Sequence, residues 1–133
     1  MASRERSDDP AQNDHWTKRN IGAAIEVHKE LGPGLLESIY EECLAHVLIG
    51  QGILVQRQVE VPIVFRGREL AVKHRLDLMI ESSVVVEMKS CERLLPVHEA
   101  QLLTYLRMTG CRIGLLLNFN VAFLKDGIVR RVL

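Results

Sequence analysis

Two carboxylates and an ammonium, Asp77, Glu87 and Lys89, lie within residues 75–89, RLDLMIESSVVVEMK, in a pattern suited to phosphodiester hydrolysis. Hard oxygen ligands hold a magnesium-type ion, and a lysine orients or deprotonates the attacking water or steadies phosphate charge. The spacing reads as two adjacent β-strands. Successive strand side chains point to opposite faces, so Leu76, Leu78 and Ile80 share one face and Asp77 takes the other. After a turn at residues 81–83, Val84, Val86 and Met88 share one face, while Val85, Glu87 and Lys89 share a face that passes from apolar to charged. A strand looks like this when its far end opens into a cleft. An ordinary hairpin, with Lys89 paired to Glu87 or Asp77 on a solvated face, fits the same residues. An Asp ahead of Glu-x-Lys on two hydrophobic strands brings the catalytic reading level with the ordinary hairpin, because buried charge is costly unless paired or metal-bound.

Other elements must position these groups. The spacing of Ile21, Ala24, Ile25, His28 and Leu31 predicts a helix over residues 15–31, with Thr17 or Asp14 as N-cap. His28 lies on its apolar stripe, either as a hydrogen-bonded core histidine or as a supporting group beside the site. Gly32-Pro33-Gly34 ends this helix. Leu36, Tyr40, Cys43, Leu44, Val47 and Leu48 predict a second helix over 35–49, stopped by Gly50 or Gly52. With Gly34 as N-cap, Glu37 falls near the third helical position, where a glutamate stabilises the helix start.

Val59, Val61, Ile63 and Phe65 predict a half-buried strand within 53–65, and Pro62 suggests that it is an edge or carries a bulge. Residues 66–69 turn the chain into an antiparallel strand over 70–80, in which His74 reads as a packing residue. Pro96 opens a helix reaching about Met108, stopped by Gly110. On it His98, Gln101 and Tyr105 share a face. An amide and a phenol at i and i+4 can hydrogen-bond phosphate or a base, although a buried tyrosine with a glutamine partner is an ordinary alternative. Residues 111–119 form a near-continuous apolar run, expected to be a covered strand parallel to an earlier one. Residues 125–127 turn into a short edge strand over 128–133.

At 133 residues the chain is of single-domain size, with residues 1–14 read as a polar, disordered tail and 15–133 as the domain. Its 47% hydrophobic and 26% charged residues are those of a soluble protein, no signal peptide is visible, and the cytoplasm is the expected compartment. Cys43, Cys91 and Cys111 are widely spaced and odd in number, which argues against a disulfide framework or zinc knuckle. Zero net charge argues against nucleic-acid binding through bulk positive charge, so any such contact needs a local patch. Lys73, Arg75, Lys89, Arg93 and Arg107 are candidates for it, and homo-oligomerisation would lengthen it.

Taken together, His28 to Pro33, the Gly34-Leu35-Leu36-Glu37-Ser38-Ile39-Tyr40 motif, Arg75 to Leu78, Glu87-Met88-Lys89, Gln101 to Tyr105 and Gly114 to Phe119 resemble the GxxExxY protein family of the PD-(D/E)xK nuclease-like superfamily. The resemblance implies an α/β fold with a restriction-endonuclease-like α-β-β-β-α-β core, a mixed central sheet flanked by helices. It implies a metal-dependent nuclease with Mg²⁺ or Mn²⁺ held by Asp77, Glu87 and the helix-borne Glu37, and with Lys89 as catalytic lysine. Gln101 and Tyr105 match a Q-x-x-x-Y nucleic-acid-binding motif, with Tyr40, His28 and His98 in support. Nucleic acid is the implied partner, DNA favoured over RNA, with no membrane. The rival expectation is a catalytically silent binding or homo-oligomeric assembly protein on the same fold.

Overall fold

Apolar runs dominate the centre of the chain, and they fold into a sheet covered on both faces. In the computed structural model, which describes residues 5–133, five strands lie in the order β1-β4-β5-β6-β7. They are β1 (Val55–Val61), β4 (His74–Ile80), β5 (Val84–Lys89), β6 (Ile113–Asn118) and β7 (Ile128–Val132). Between β1 and β4, the two-residue strands β2 (Val64–Phe65) and β3 (Arg68–Glu69) form a separate hairpin. Only β5 and β6 are parallel; β1 with β4, β4 with β5 and β6 with β7 run antiparallel.

Helices α1 (Pro10–Leu31) and α2 (Glu37–Gly50) cover one face, and α3 (Pro96–Thr109), the crossover between β5 and β6, covers the other. On the α1/α2 side Ala24, Val27, Tyr40, Leu44 and Leu48 meet Ile80, Val84, Val86, Leu115 and Leu117. On the α3 side Leu102, Tyr105 and Leu106 meet Val61, Met79, Val85 and Leu116. Burying each such aliphatic side chain contributes about 1.5–3 kcal/mol. Gly114 lets α3 approach closely, since a Cβ there would stand 2.7 Å from Leu102 Cδ1.

The mixed sheet, the parallel β5–β6 pair, Gly110 as left-handed cap of α3 and the β7 edge agree with the sequence reading. Other details differ. Helix α1 starts at Pro10, not residue 15, because Asp9 caps it by accepting from Ala11 N–H at 3.1 Å. Ahead of it Ser7 N–H donates to Ser83 Oγ at 2.8 Å, while residues 1–4 of the expected tail lie outside the described residues. Leu36 caps α2 by its backbone, which puts Glu37 first in the helix and leaves Leu36 exposed. The strand expected to reach Phe65 ends at Val61, because Pro62 has no N–H for the ladder. The next strand begins at His74 rather than residue 70, so Val64, Phe65, Leu70 and Val72 are all exposed.

Candidate active site

Strands β4 and β5 pair only from Ile80↔Val84 to Leu78↔Val86, while β5 continues beside β6 as far as Lys89↔Asn118. The sheet therefore forks at Asp77 and Glu87. At the fork, carboxylates replace ladder carbonyls: Asp77 N–H donates to Glu87 Oε2 at 2.6 Å, and Met88 N–H donates to Asp77 Oδ2 at 2.8 Å. An opening strand pair would otherwise leave backbone donors without partners, which is costly away from water. Each carboxylate keeps a second oxygen. That of Asp77, Oδ1, lies 3.3 Å from Gln58 Nε2.

The electrostatics tie five side chains into one constellation. Glu87 is 4% exposed, and burial followed by the Asp77 charge pushes its carboxyl up to about 8, against the opposing pull of the Asp77 N–H and Lys89. Burial also raises Asp77, opposed by hydrogen bonds from Met88 and Gln58 and by Lys89. Glu37 raises both carboxyls, so its charge is felt at the fork. Burial and the two carboxylates push the Tyr105 phenol up to about 12, keeping it a neutral donor, while its bond to Gln101 works the other way.

Glu37 reaches this place through a locked corner. Gly32 and Gly34 have φ of 72° and 93°, which glycine adopts freely. Tyr40 O–H donates to Gly32 O at 2.6 Å and accepts from Leu35 N–H at 3.1 Å, while its ring stacks on Phe119 at 4.3 Å. Ser90, the residue after Lys89, donates its hydroxyl to Leu35 O at 2.6 Å. The start of α2 is thereby fastened to the end of β5. Asn118 holds the same strand end, donating to Cys91 O at 3.0 Å and accepting from Cys91 N–H at 3.2 Å.

Among the described residues no three His, Cys, Asp or Glu side chains are gathered to hold a metal ion. Asp77 and Glu87 are together, and Glu37 stands off, exposed, at the first position of α2. The donors nevertheless fit a hard divalent cation. Each carboxylate of the fork has an oxygen not used by the backbone, and a cation would offset both the burial and the Asp77 charge that raise Glu87.

On α3, Gln101 and Tyr105 border a cleft of about 360 Å³ that Ile63, His74, Val97 and His98 also line. His98 serves the helix start, its Nδ1 accepting from Leu95 N–H at 3.0 Å. His74 is exposed rather than packed inside, its ring set edge-on to that of Tyr105 with the centroids 6.2 Å apart. His28 is not gathered into the site. It is buried and its Nε2 meets Phe119 O at 3.2 Å and Val121 O at 2.9 Å, tying α1 to the chain after β6. Of the basic candidates, Lys73 pairs with Glu60 and Glu69, Arg75 pairs with Glu60, and Arg107 donates to Thr104.

Two residues near Asp77, Glu41 and Gln58, escaped the sequence reading, and alternation puts a third, Leu76, on the wrong face. Glu41, 5% exposed, takes Arg57 Nε at 3.1 Å and Gln58 Nε2 at 2.6 Å. Its signal was the spacing of one helical turn from Glu37. Gln58 has φ 51° in the middle of β1, a left-handed conformation that costs a residue other than glycine about 1–3 kcal/mol. Alternation gave no hint of it. Leu76, expected on the face of Leu78 and Ile80, packs with α3 instead, because the strand pair turns over at Asp77 and Gln58.

The family model of the PD-(D/E)XK nuclease superfamily matches residues 14–132. Among curated proteins none matches the chain. Solved structures that match include the crystal structure of SSO0001, with 24% identity and a TM-score of 0.50, over 90% of this chain and 59% of that one. This likeness is one of fold, and the chain spans less than two thirds of that structure's length. With the forked Asp77 and Glu87-x-Lys89 strands at the centre of the matched span, the chain belongs to the PD-(D/E)XK nuclease superfamily.

Proposed function

We propose that the protein is a Mg²⁺- or Mn²⁺-dependent nuclease that hydrolyses phosphodiester bonds, with DNA the favoured substrate over RNA. The observation that carries this reading is the fork, where Asp77 and Glu87 each hold one oxygen on the neighbouring strand's backbone and keep the other for an ion. Asp77 and Glu87 would hold the ion, and Glu37, which stands off at the start of α2, would add its negative charge rather than close a gathered three-carboxylate set. When bound, the ion lowers the pKa of water and offsets charge on the scissile phosphate. Lys89, on the same strand as Glu87, orients the attacking water. Tyr105, kept protonated, donates to a phosphate oxygen, and Gln101 orients Tyr105 and the strand. The finer family placement, GxxExxY, is supported by the role of its named residues here: Gly34, with Gly32 before it, makes the corner, Tyr40 locks it, and the charge of Glu37 is felt at the fork.

One observation favours a second reading, homo-oligomeric assembly without catalysis. The β2–β3 hairpin and its flanks expose Val64, Phe65, Leu70 and Val72, the last at 73%, while Lys73 and Arg75 are taken up by glutamates. The two readings separate on end-labelled single- and double-stranded DNA and RNA incubated with Mg²⁺, Mn²⁺ or EDTA. Metal-dependent cutting that disappears in Asp77→Ala and Lys89→Ala is expected. No cutting on any substrate, together with a defined oligomer in light scattering, would replace the nuclease reading with the assembly one.

A further inference from the structure

We propose that Gln58 is a positioning residue of the metal site, aimed at Asp77 by a left-handed residue in the middle of an edge strand. The inference rests on the reading of the fork as a metal site and adds to it a residue from outside the fork.

Strand β1 keeps its register with β4 on both sides of Gln58, pairing Arg57↔Leu78 and Val59↔Leu76. The chain nonetheless turns over there. Val55 packs with the α1/α2 cluster and Arg57 reaches Glu41 on α2, whereas Val59 and Val61 pack with α3. In a regular strand residues 55, 57, 59 and 61 would share one face. Across the ladder Leu78 and Ile80 belong to the α1/α2 side and Leu76 to the α3 side, so β4 turns over at Asp77. Gln58 and Asp77 thus stand opposite each other where the sheet edge changes sides.

The turn has two consequences for Asp77. Adjacent residues of a strand normally point apart, yet Arg57 and Gln58 both reach the buried Glu41. Anchored there at 2.6 Å, the Gln58 amide has a second hydrogen for Asp77 Oδ1 at 3.3 Å. With Oδ2 held by Met88 N–H and Oδ1 steadied by the Gln58 amide, the plane of the carboxylate is set from two different strands, and Oδ1 keeps a second lone pair for the ion. Hydrogen bonds of this kind to a ligating carboxylate orient it for the metal. Glycine would adopt φ 51° without strain, so what glutamine supplies at this position is the amide.

The test is Mn²⁺ binding by titration calorimetry and by the electron paramagnetic resonance signal of free Mn²⁺, on wild type, Gln58→Gly, Gln58→Ala and Asp77→Ala. Thermal melting in EDTA checks that each variant is folded. Gln58→Gly removes the amide while relieving the backbone, so it is expected to melt above Gln58→Ala. Both are expected to bind Mn²⁺ about 10- to 100-fold more weakly than wild type. Mn²⁺ affinity in folded Gln58→Gly within twofold of wild type would overturn the positioning role and leave the metal site standing. Wild type that binds no Mn²⁺, or binding untouched by Asp77→Ala, would overturn the metal site and this inference together.

Discussion

Asp77 and Glu87 are cross-braced at the point where their strands part: the Asp77 N–H donates to the Glu87 carboxylate at 2.6 Å, and the N–H following Glu87 donates to the Asp77 carboxylate at 2.8 Å. The brace holds two acidic groups side by side without burying a backbone donor unpaired. It also puts two acidic groups in a poorly solvated place, where burial and then the Asp77 charge push Glu87 up to about 8, and that conflict is what a divalent cation would resolve.

Metal should therefore stabilise the protein through this pair. Mg²⁺ or Mn²⁺ is expected to raise the melting temperature of wild type and to leave that of Asp77→Ala unmoved, as followed by scanning calorimetry. Lys89→Ala should keep the metal-induced shift and lose about 10²- to 10⁴-fold in kcat, the range for loss of a proton-transfer group. Equal shifts in wild type and Asp77→Ala would place the ion elsewhere.

A second expectation concerns pH without metal. Glu87 titrates at about 8 in the folded protein, against 4.5 as the ordinary value. The folded state then binds more protons than the unfolded one between these limits, so stability falls as pH rises through that window. Urea denaturation in EDTA should show wild type losing stability from pH 4.5 to 8. Glu87→Gln, neutral throughout, should have a visibly flatter profile, and identical slopes would mean that Glu87 is not protonated in the folded state.

The corner before α2 can be loosened without touching the fork. Tyr40→Phe keeps the stacking on Phe119 but strips Gly32 O and Leu35 N–H of their partner. A loss of about 1–3 kcal/mol in urea denaturation is expected. Because Glu37 depends on the same corner, metal affinity should fall as well. A stability loss with metal affinity intact would detach Glu37 from the ion.

The acidic partners of the basic residues bear on substrate binding. Glu60 forms ion pairs with both Lys73 and Arg75, so Glu60→Gln releases positive charge on either side of His74, which lines the α3 cleft. If nucleic acid passes there, affinity at low salt should rise, and log K against log salt should steepen by about 1 for each phosphate newly contacted. Fluorescence anisotropy with a labelled oligonucleotide reads both, and an unchanged slope would place the strand on another surface.

Much of this protein is determined locally. The period-2 runs over 78–80 and 84–88, the near-continuous apolar strand at 113–118, and the Pro96 and Gly110 ends of α3 follow from side-chain alternation and backbone chemistry. These depend on near neighbours, and they suffice for a mixed sheet with the Glu87-x-Lys89 strand at its centre. Other features depend on groups far apart in the chain. Pattern alone does not say that β4 and β5 part at Leu78↔Val86, that Ser90 and Asn118 fasten the end of β5, or that His28 serves a distant loop. Gln58 shows the limit most clearly. Its left-handed backbone breaks the alternation from which strands are read, and it is held by the buried Glu41 of α2 and by Asp77 of β4. A conformation unfavourable for the residue itself persists only where the surrounding tertiary structure imposes it.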